Sequence, residues 1–291
     1  MGDDCLHRFL LDDLDICGAV VRLGSVWRKM LDDRNYAAPV ARLLGELSAT
    51  TLLLGASLKQ AGRLTIQLRG SGPISLLVID CNERLAIRGM AKCAEAPPSE
   101  RIADLLGHGQ LLLSLDQPSM REPYQSIVPL GGETLAEVFE HYLRQSDQSP
   151  ARLFLAASTD AAGGLLLQKL PTADQRDADG WGRVEALATT VRTAELLTLP
   201  AEELLLRLFP EEAVRLFPAR PIAHNCPEDW AKVRALLRSL GPSEAYAALR
   251  ETGEVVVRDD LCNREYRFDR AAIDELFRDF TGPSASPPTI H

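Results

Sequence analysis

Apolar and polar positions follow short alternating runs over the first half of the chain, and the period changes several times. Residues 18–23 read as a strand, with a short helix after it. Pro39 stands where a longer helix begins. Val40, Leu43, Leu44, Leu47 and Leu54 form a stripe at helical spacing behind it, to about Lys59, and Gly62 ends it. From Arg63 the period drops to two: Leu64, Ile66 and Leu68 point one way, Thr65 and Gln67 the other. The turn Gly70-Ser71-Gly72-Pro73 leads into 74–81, and Asn82-Glu83 turns into 84–90. These three runs predict an antiparallel meander. Residues 111–115 and 126–130 add two strands, 134–145 a helix, and 152–158 with 165–170 a closing hairpin.

From Gly180 the texture turns helical. Residues 184–199 and 201–209 carry leucine-rich faces and few β-branched residues, and Pro210, Pro218 and Pro221 then punctuate the chain. Beyond Pro221 lies a compact unit of about sixty residues. It predicts helices over 228–239 and 242–251, a hairpin of 255–257 with 266–268, and a last helix over 270–280. The Pro- and Ser-rich tail, 282–291, reads as disordered. The order of elements gives an α+β chain: an N-terminal mixed sheet-and-helix domain over 1–179, a helical linker over 180–220 and a small C-terminal domain over 221–281.

Composition narrows the function. Apolar residues make up 46% of 291, enough for a sizeable core. Lys and Arg total 32 against 41 Asp and Glu, a net charge of -9 that argues against nucleic acid and anionic membrane surfaces. The start, MGDDCLHRFLLDDLD, is acidic and lacks the long apolar run of a signal peptide, and no stretch is long enough to span a bilayer. A cytoplasmic location is therefore expected, where the six Cys are normally reduced. Cys17 and Cys81 sit in apolar runs and read as buried small hydrophobes, Cys93 as exposed, and Cys5 as part of a mobile terminus. No Cys-x-x-Cys, Gly-x-Ser-x-Gly or phosphate loop is present, and His7, His108, His141 and His291 are isolated, so an enzyme is not expected.

Five collinear stretches carry a resemblance. GSGPISLLVIDCNERLAIRGMAK has a Gly-x-Gly-Pro turn before one strand and an Arg-Gly pair closing the next. YQSIVPLGGETLAEVFEHYLRQSDQ ends in Gln145-Ser146-Asp147-Gln148. AGGLLLQKLP, RLFPEEAVRLFPARPIAHNC and EVVVRDDLCNREYRF follow in order. Together they resemble the heat-shock protein 33 family over nearly the whole chain. That resemblance implies an ATP-independent holdase, cytoplasmic and stress-responsive, that binds unfolded or partly folded client proteins. It also implies a C-terminal zinc-type domain whose unfolding, with the linker, is the switch. A homodimer is a further option, and neither nucleic acid nor membrane is an expected partner.

The family's zinc site has four Cys, a Cys-x-Cys and a Cys-x-x-Cys about thirty residues apart. Here the corresponding positions are His224, Cys226, Asp259 and Cys262. All three residue types are zinc ligands, but a carboxylate and an imidazole in place of two thiolates make a weaker site. Zinc is thus an expected but weak cofactor, and the alternative is a metal-free domain held by its apolar residues. A disulfide between Cys226 and Cys262 is the one pairing this ligand set permits. The client-binding face expected on the linker is Leu196, Leu197, Leu199, Leu204, Leu205 and Leu208, with Glu202, Glu203, Arg207, Glu211 and Glu212 keeping it soluble. The alternative function is a constitutive binding or adaptor protein whose C-terminal domain is purely structural or metal-free.

Overall fold

The computed structural model describes residues 4–58, 62–94, 97, 99–147 and 149–278. It divides into two compact units, Met1–Asn225 and Cys226–His291. The class is α+β, as the order of elements predicts.

The first unit begins with a hairpin, β1 (Cys5–Leu11) and β2 (Ile16–Leu23), then α1 (Ser25–Leu31) and α2 (Ala38–Ser57). The meander is β3 (Arg63–Arg69), β4 (Ile74–Cys81) and β5 (Ala86–Cys93). Next come α3 (Ile102–Leu106), β6 (Gln110–Asp116), β7 (Tyr124–Pro129), α4 (Leu135–Asp147), β8 (Ala151–Ala157) and β9 (Ala162–Lys169). The helical stretch is α5 (Ala173–Arg176), α6 (Gly180–Ala188), α7 (Thr193–Thr198) and α8 (Ala201–Leu208). Three short strands close the unit: β10 (Val214–Leu216), β11 (Arg220–Pro221) and β12 (Ala223–His224).

Two sheets result. One runs β10-β1-β2-β9-β8 with β11 also paired to β1; the other runs β12-β5-β4-β3-β6-β7. Helix α2 packs on strands of both. It is apolar on nearly every side, which is the pattern of a buried helix. Its interior hydroxyls are satisfied within the helix: Ser48, Thr50 and Thr51 donate to the carbonyls of Leu44, Glu46 and Leu47, each at 2.8 Å. The first sheet is buried on both faces. Ala19, Val21 and Leu166 join the α2 side, while Val20, Leu165 and Leu167 point into a second cluster under α6, α7 and α8.

Several expectations are revised. Cys5 is not in a mobile end but opens β1. That strand has no clean alternation, because Leu6 packs on one side and Phe9 and Leu11 on the other. The single helix expected over 184–199 is two, broken at Thr189-Thr190-Val191. There the threonine hydroxyls turn back to the carbonyls of Ala186 and Leu187, at 2.7 Å each. Strands β10 to β12 had no signal of their own, since each is at most three residues long and its partner lies far away in sequence. Lys59, Phe280 and the tail lie outside the described residues.

The second unit contains α9 (Trp230–Leu240), α10 (Pro242–Thr252), the hairpin β13 (Val255–Asp259) with β14 (Arg264–Phe268), and α11 (Arg270–Leu276). Asp229 and Asp269 cap α9 and α11 through their carboxylates, which accept the N–H of Lys232 at 2.9 Å and of Ala272 at 2.8 Å. Gly253, at φ 83, ends α10 in the left-handed conformation that glycine adopts without strain. Val233, Leu237, Val255, Tyr266, Phe268, Ile273 and Phe277 fill a small core.

Candidate functional site

The linker leucines are covered. Leu196, Leu204, Leu205 and Leu208 are buried, and Leu197 and Leu199 pack at the edge of the same cluster, against β1, β2 and β9. Leu206 on α8 points away and is 67% exposed. The helices are fastened at their polar rims. Arg207 pairs with Glu195 at 2.5 Å and donates to the Thr190 carbonyl at 3.2 Å; Arg22 on β2 donates to the Thr198 carbonyl at 2.7 Å. Helix α7 also comes very near the sheet. A Cβ built at Gly163 on β9 would sit 2.4 Å from the Leu196 carbonyl oxygen. Glycine is needed there for that approach.

The residues expected to hold metal fall in different units. His224 lies on β12, which runs parallel to β5 in register with Ile87, so it belongs to the first unit. Burial, then the charges of Lys29 and Arg34, hold its imidazole below the usual histidine range. Cys226, Asp259 and Cys262 belong to the second unit. Cys226 and Cys262 are joined as a disulfide, with their Cα atoms 5.5 Å apart. Asp259 ends β13, and its Oδ1 accepts the N–H groups of Leu261 at 3.0 Å and Cys262 at 3.3 Å. That is an aspartate shaping a turn. Asp260 instead lies 3.8 Å from Arg258.

A tetrahedral zinc needs four donors converging on one point. Sulfurs bonded to each other are not thiolates, and among the described residues no group of three or more His, Cys, Asp or Glu gathers as a metal ion requires. In this disulfide-closed form the residues present do not fit zinc.

Of three further features, the first and the last carried no usable sequence signal, while the second joins apolar residues of the C-terminal unit. The hydroxyl of Tyr266 accepts the N–H of Asp229 at 3.0 Å, a tie spanning 37 positions. The Trp230 ring stands edge-on to Tyr266 and Phe268, with centroids 4.9 and 5.7 Å away. In the first unit, buried Asp80 takes hydrogen bonds from Arg63 Nε at 2.6 Å, Arg88 Nε at 2.9 Å and Thr65 at 3.2 Å. Burial alone would raise the Asp80 carboxyl, but the two guanidinium groups hold it below the usual aspartate range. The remaining described thiols lie outside disulfides. Burial pushes Cys81 up to about 12 and also raises Cys17.

Together these features define a two-unit α+β protein that keeps an apolar helical face covered and carries a cysteine-paired module at its C-terminal end. Comparison with known proteins makes this specific. The Hsp33 protein family matches residues 4–269. The 33 kDa chaperonin of Methylobacillus flagellatus is 38% identical over 94% of each chain, and that of Nitrosococcus oceani 39% over the same shares. The 33 kDa chaperonin of an Enterobacter species is 36% identical over 99% of each chain. A solved heat shock protein 33 homolog from Thermotoga maritima superimposes with a TM-score of 0.83, covering 96% of this chain and 99% of that one. At 21% identity that likeness speaks for the fold. The chain belongs to the Hsp33 family. Membership supports a chaperone function and a role other than that of an enzyme. Among the described residues no helix is long and apolar enough to cross a membrane.

Proposed function

We propose that the chain is an ATP-independent holdase, which captures unfolding proteins once its C-terminal unit and the α6–α8 segment loosen. The observation that carries this is the covered leucine face. Leu196, Leu204, Leu205 and Leu208 are buried at rest, on short helices held by a few polar contacts. An apolar surface hidden at rest and exposed on demand is what a stress-activated binder needs. Loosening has a route along the chain, because β12 ends two residues before Cys226 and β10 to β12 are the shortest strands of the first unit. ATP independence is supported by the lack of a phosphate loop in the sequence.

Light scattering of a heat-denatured client tests the reading. Stressed protein is expected to suppress aggregation at near-stoichiometric ratios, with ATP making no difference. If neither heating nor oxidation ever produces suppression, the holdase reading is wrong. Full suppression by unstressed protein favours the constitutive adaptor instead. Zinc is proposed for the reduced form alone, where Cys226 and Cys262 are thiols again and His224 and Asp259 complete the set. Elemental analysis of the reduced protein should find at most one zinc per chain. Chelator competition should tighten in the double variant His224→Cys with Asp259→Cys.

A further inference from the structure

Arg152 on β8 stands between two carboxylates. On one side is Glu140 of α4, which is buried. Its Oε1 accepts the Leu153 N–H at 2.8 Å and lies 3.5 Å from Arg152 Nε. On the other side is Glu185 of α6, half-exposed and 3.4 Å from Arg152 Nη1. The Arg152 Nε is itself buried and has no hydrogen-bond partner among the described residues. Both separations are long for a hydrogen bond, so Arg152 is shared by the two carboxylates and locked to neither. Strand β8 and helix α4 belong to the body of the first unit, and α6 to the segment that covers the leucine face. Among the described residues, Arg152–Glu185 is the one ion pair between α6 and the sheet. Arg183, the other charged side chain of α6, pairs with Asp177 and Glu212, which lie outside the strands.

One cation cannot serve two anions in full. While α6 is docked, Glu185 draws Arg152 away from Glu140. Once α6 leaves, Arg152 can turn wholly to Glu140. An ionised Glu140 therefore gains from the release of α6, and a neutral one does not. The other charges around Glu140 act from its own helix, where Arg144 favours the carboxylate and Glu137 opposes it. Helix α2, also packed on α4, carries Arg42 and Glu46, which pair with each other at 3.1 Å. Burial outweighs these neighbours and holds the Glu140 carboxyl above the usual glutamate range.

We propose that Arg152 is a positioning residue that tethers α6 to the sheet through Glu185, and that Glu140 competes for it, so that the charge on Glu140 sets how firmly the leucine face is covered. The inference rests on the holdase reading and adds a regulator to it. Neutral Glu140 leaves Arg152 to Glu185 and holds α6 down. Ionised Glu140 draws Arg152 back and eases the helix off. Because the folded carboxyl titrates above its usual range, the tightening is present at low pH and is lost as pH rises through the folded value. Mild acid thus keeps the leucine face covered, and a return to neutral pH favours its release.

The test uses the full chain and two readouts: amide hydrogen-exchange protection across residues 180–188, and the onset temperature of client suppression. Glu185→Gln and Arg152→Met should each lower the protection of α6, by up to about fivefold for a partly exposed ion pair, and should lower the onset. Glu140→Gln should do the opposite and raise both. A role confined to packing does not give opposite signs to the neutralisation of two carboxylates on either side of one arginine. In the wild type, protection should fall as pH rises from just above the ordinary glutamate range to neutral, and in Glu140→Gln it should stay flat. The wild-type pH series decides the matter should Glu140→Gln fail to fold. Shifts of the same sign in both Gln variants, or wild-type protection that does not fall with pH, overturn the tether. Opposite shifts in protection with no client suppression by any form keep the tether and remove the holdase. Client suppression on heating without those shifts does the reverse.

Discussion

The two units are stabilised in different ways. The first surrounds a largely buried helix with two sheets, covers one of them again with α6 to α8, and places a satisfied carboxylate, Asp80, among its strands. The second has a single small cluster, and its leading segment is held by an aromatic clamp and a disulfide. Units of this size bury too little apolar surface to be robust by packing alone, so a cross-link carries a larger share of the whole. The small unit is thus the part whose folding depends most on a few contacts, and the large one the part held by extensive packing.

Tyr266→Ala should break this comparison most sharply. It removes a fully buried ring and the acceptor for Asp229, at a cost of about 3–5 kcal/mol, comparable to all that such a core supplies. Under reducing conditions the C-terminal unit should unfold while the first unit keeps its transition, seen as early cleavage beyond Asn225 by protease. Trp27→Ala, at similar cost, should lower the first unit's midpoint and leave it folded at room temperature. Early loss of the first unit in the Tyr266 variant would show that the two do not unfold separately.

Asp80→Asn should cost about 2–3 kcal/mol, since it leaves Arg63 and Arg88 without their shared anion. The Asp80 carboxyl is held below its unfolded value, so its contribution is present above the ordinary aspartate range. It is lost as pH falls through the folded value. Thermal midpoints of wild type and variant should therefore converge as the pH is lowered, and a constant gap down to acid pH would refute the assignment.

Gly163→Ala should have a smaller effect on stability, about 1–3 kcal/mol, because its methyl group meets the Leu196 backbone. Its functional effect should be larger. Pushing α7 away from β9 uncovers the leucine face, so client suppression should begin at a lower temperature. An unchanged onset would separate that face from activity. The smallest effect concerns labelling. Cys81, raised to about 12, should resist iodoacetamide in the folded protein at pH 8 and react on unfolding.

Much of this molecule was legible in the order of residues. The meander of β3 to β5, the hairpin of β8 and β9, α2, and the helix–helix–hairpin order of the C-terminal unit all follow from period, turn residues and caps. Each depends on neighbours a few positions apart. The resemblance to the heat-shock protein 33 family was legible for the same reason, since its motifs are contiguous. What tertiary structure alone decided were the pairings at long range. Strand β1 has no readable alternation because both its faces are covered, and β10 to β12 exist only because β1 and β5 offer them an edge. The placement of the expected site residues was decided in the same way. The sequence grouped His224 with Cys226, two positions apart, yet hydrogen bonding to β5 draws His224 into the first unit while Cys226 begins the second. The Tyr266–Asp229 bond and the closeness of Gly163 to Leu196 are likewise contacts between segments remote in the chain. No local pattern encodes them, because they form only when separately specified elements bury their faces against one another.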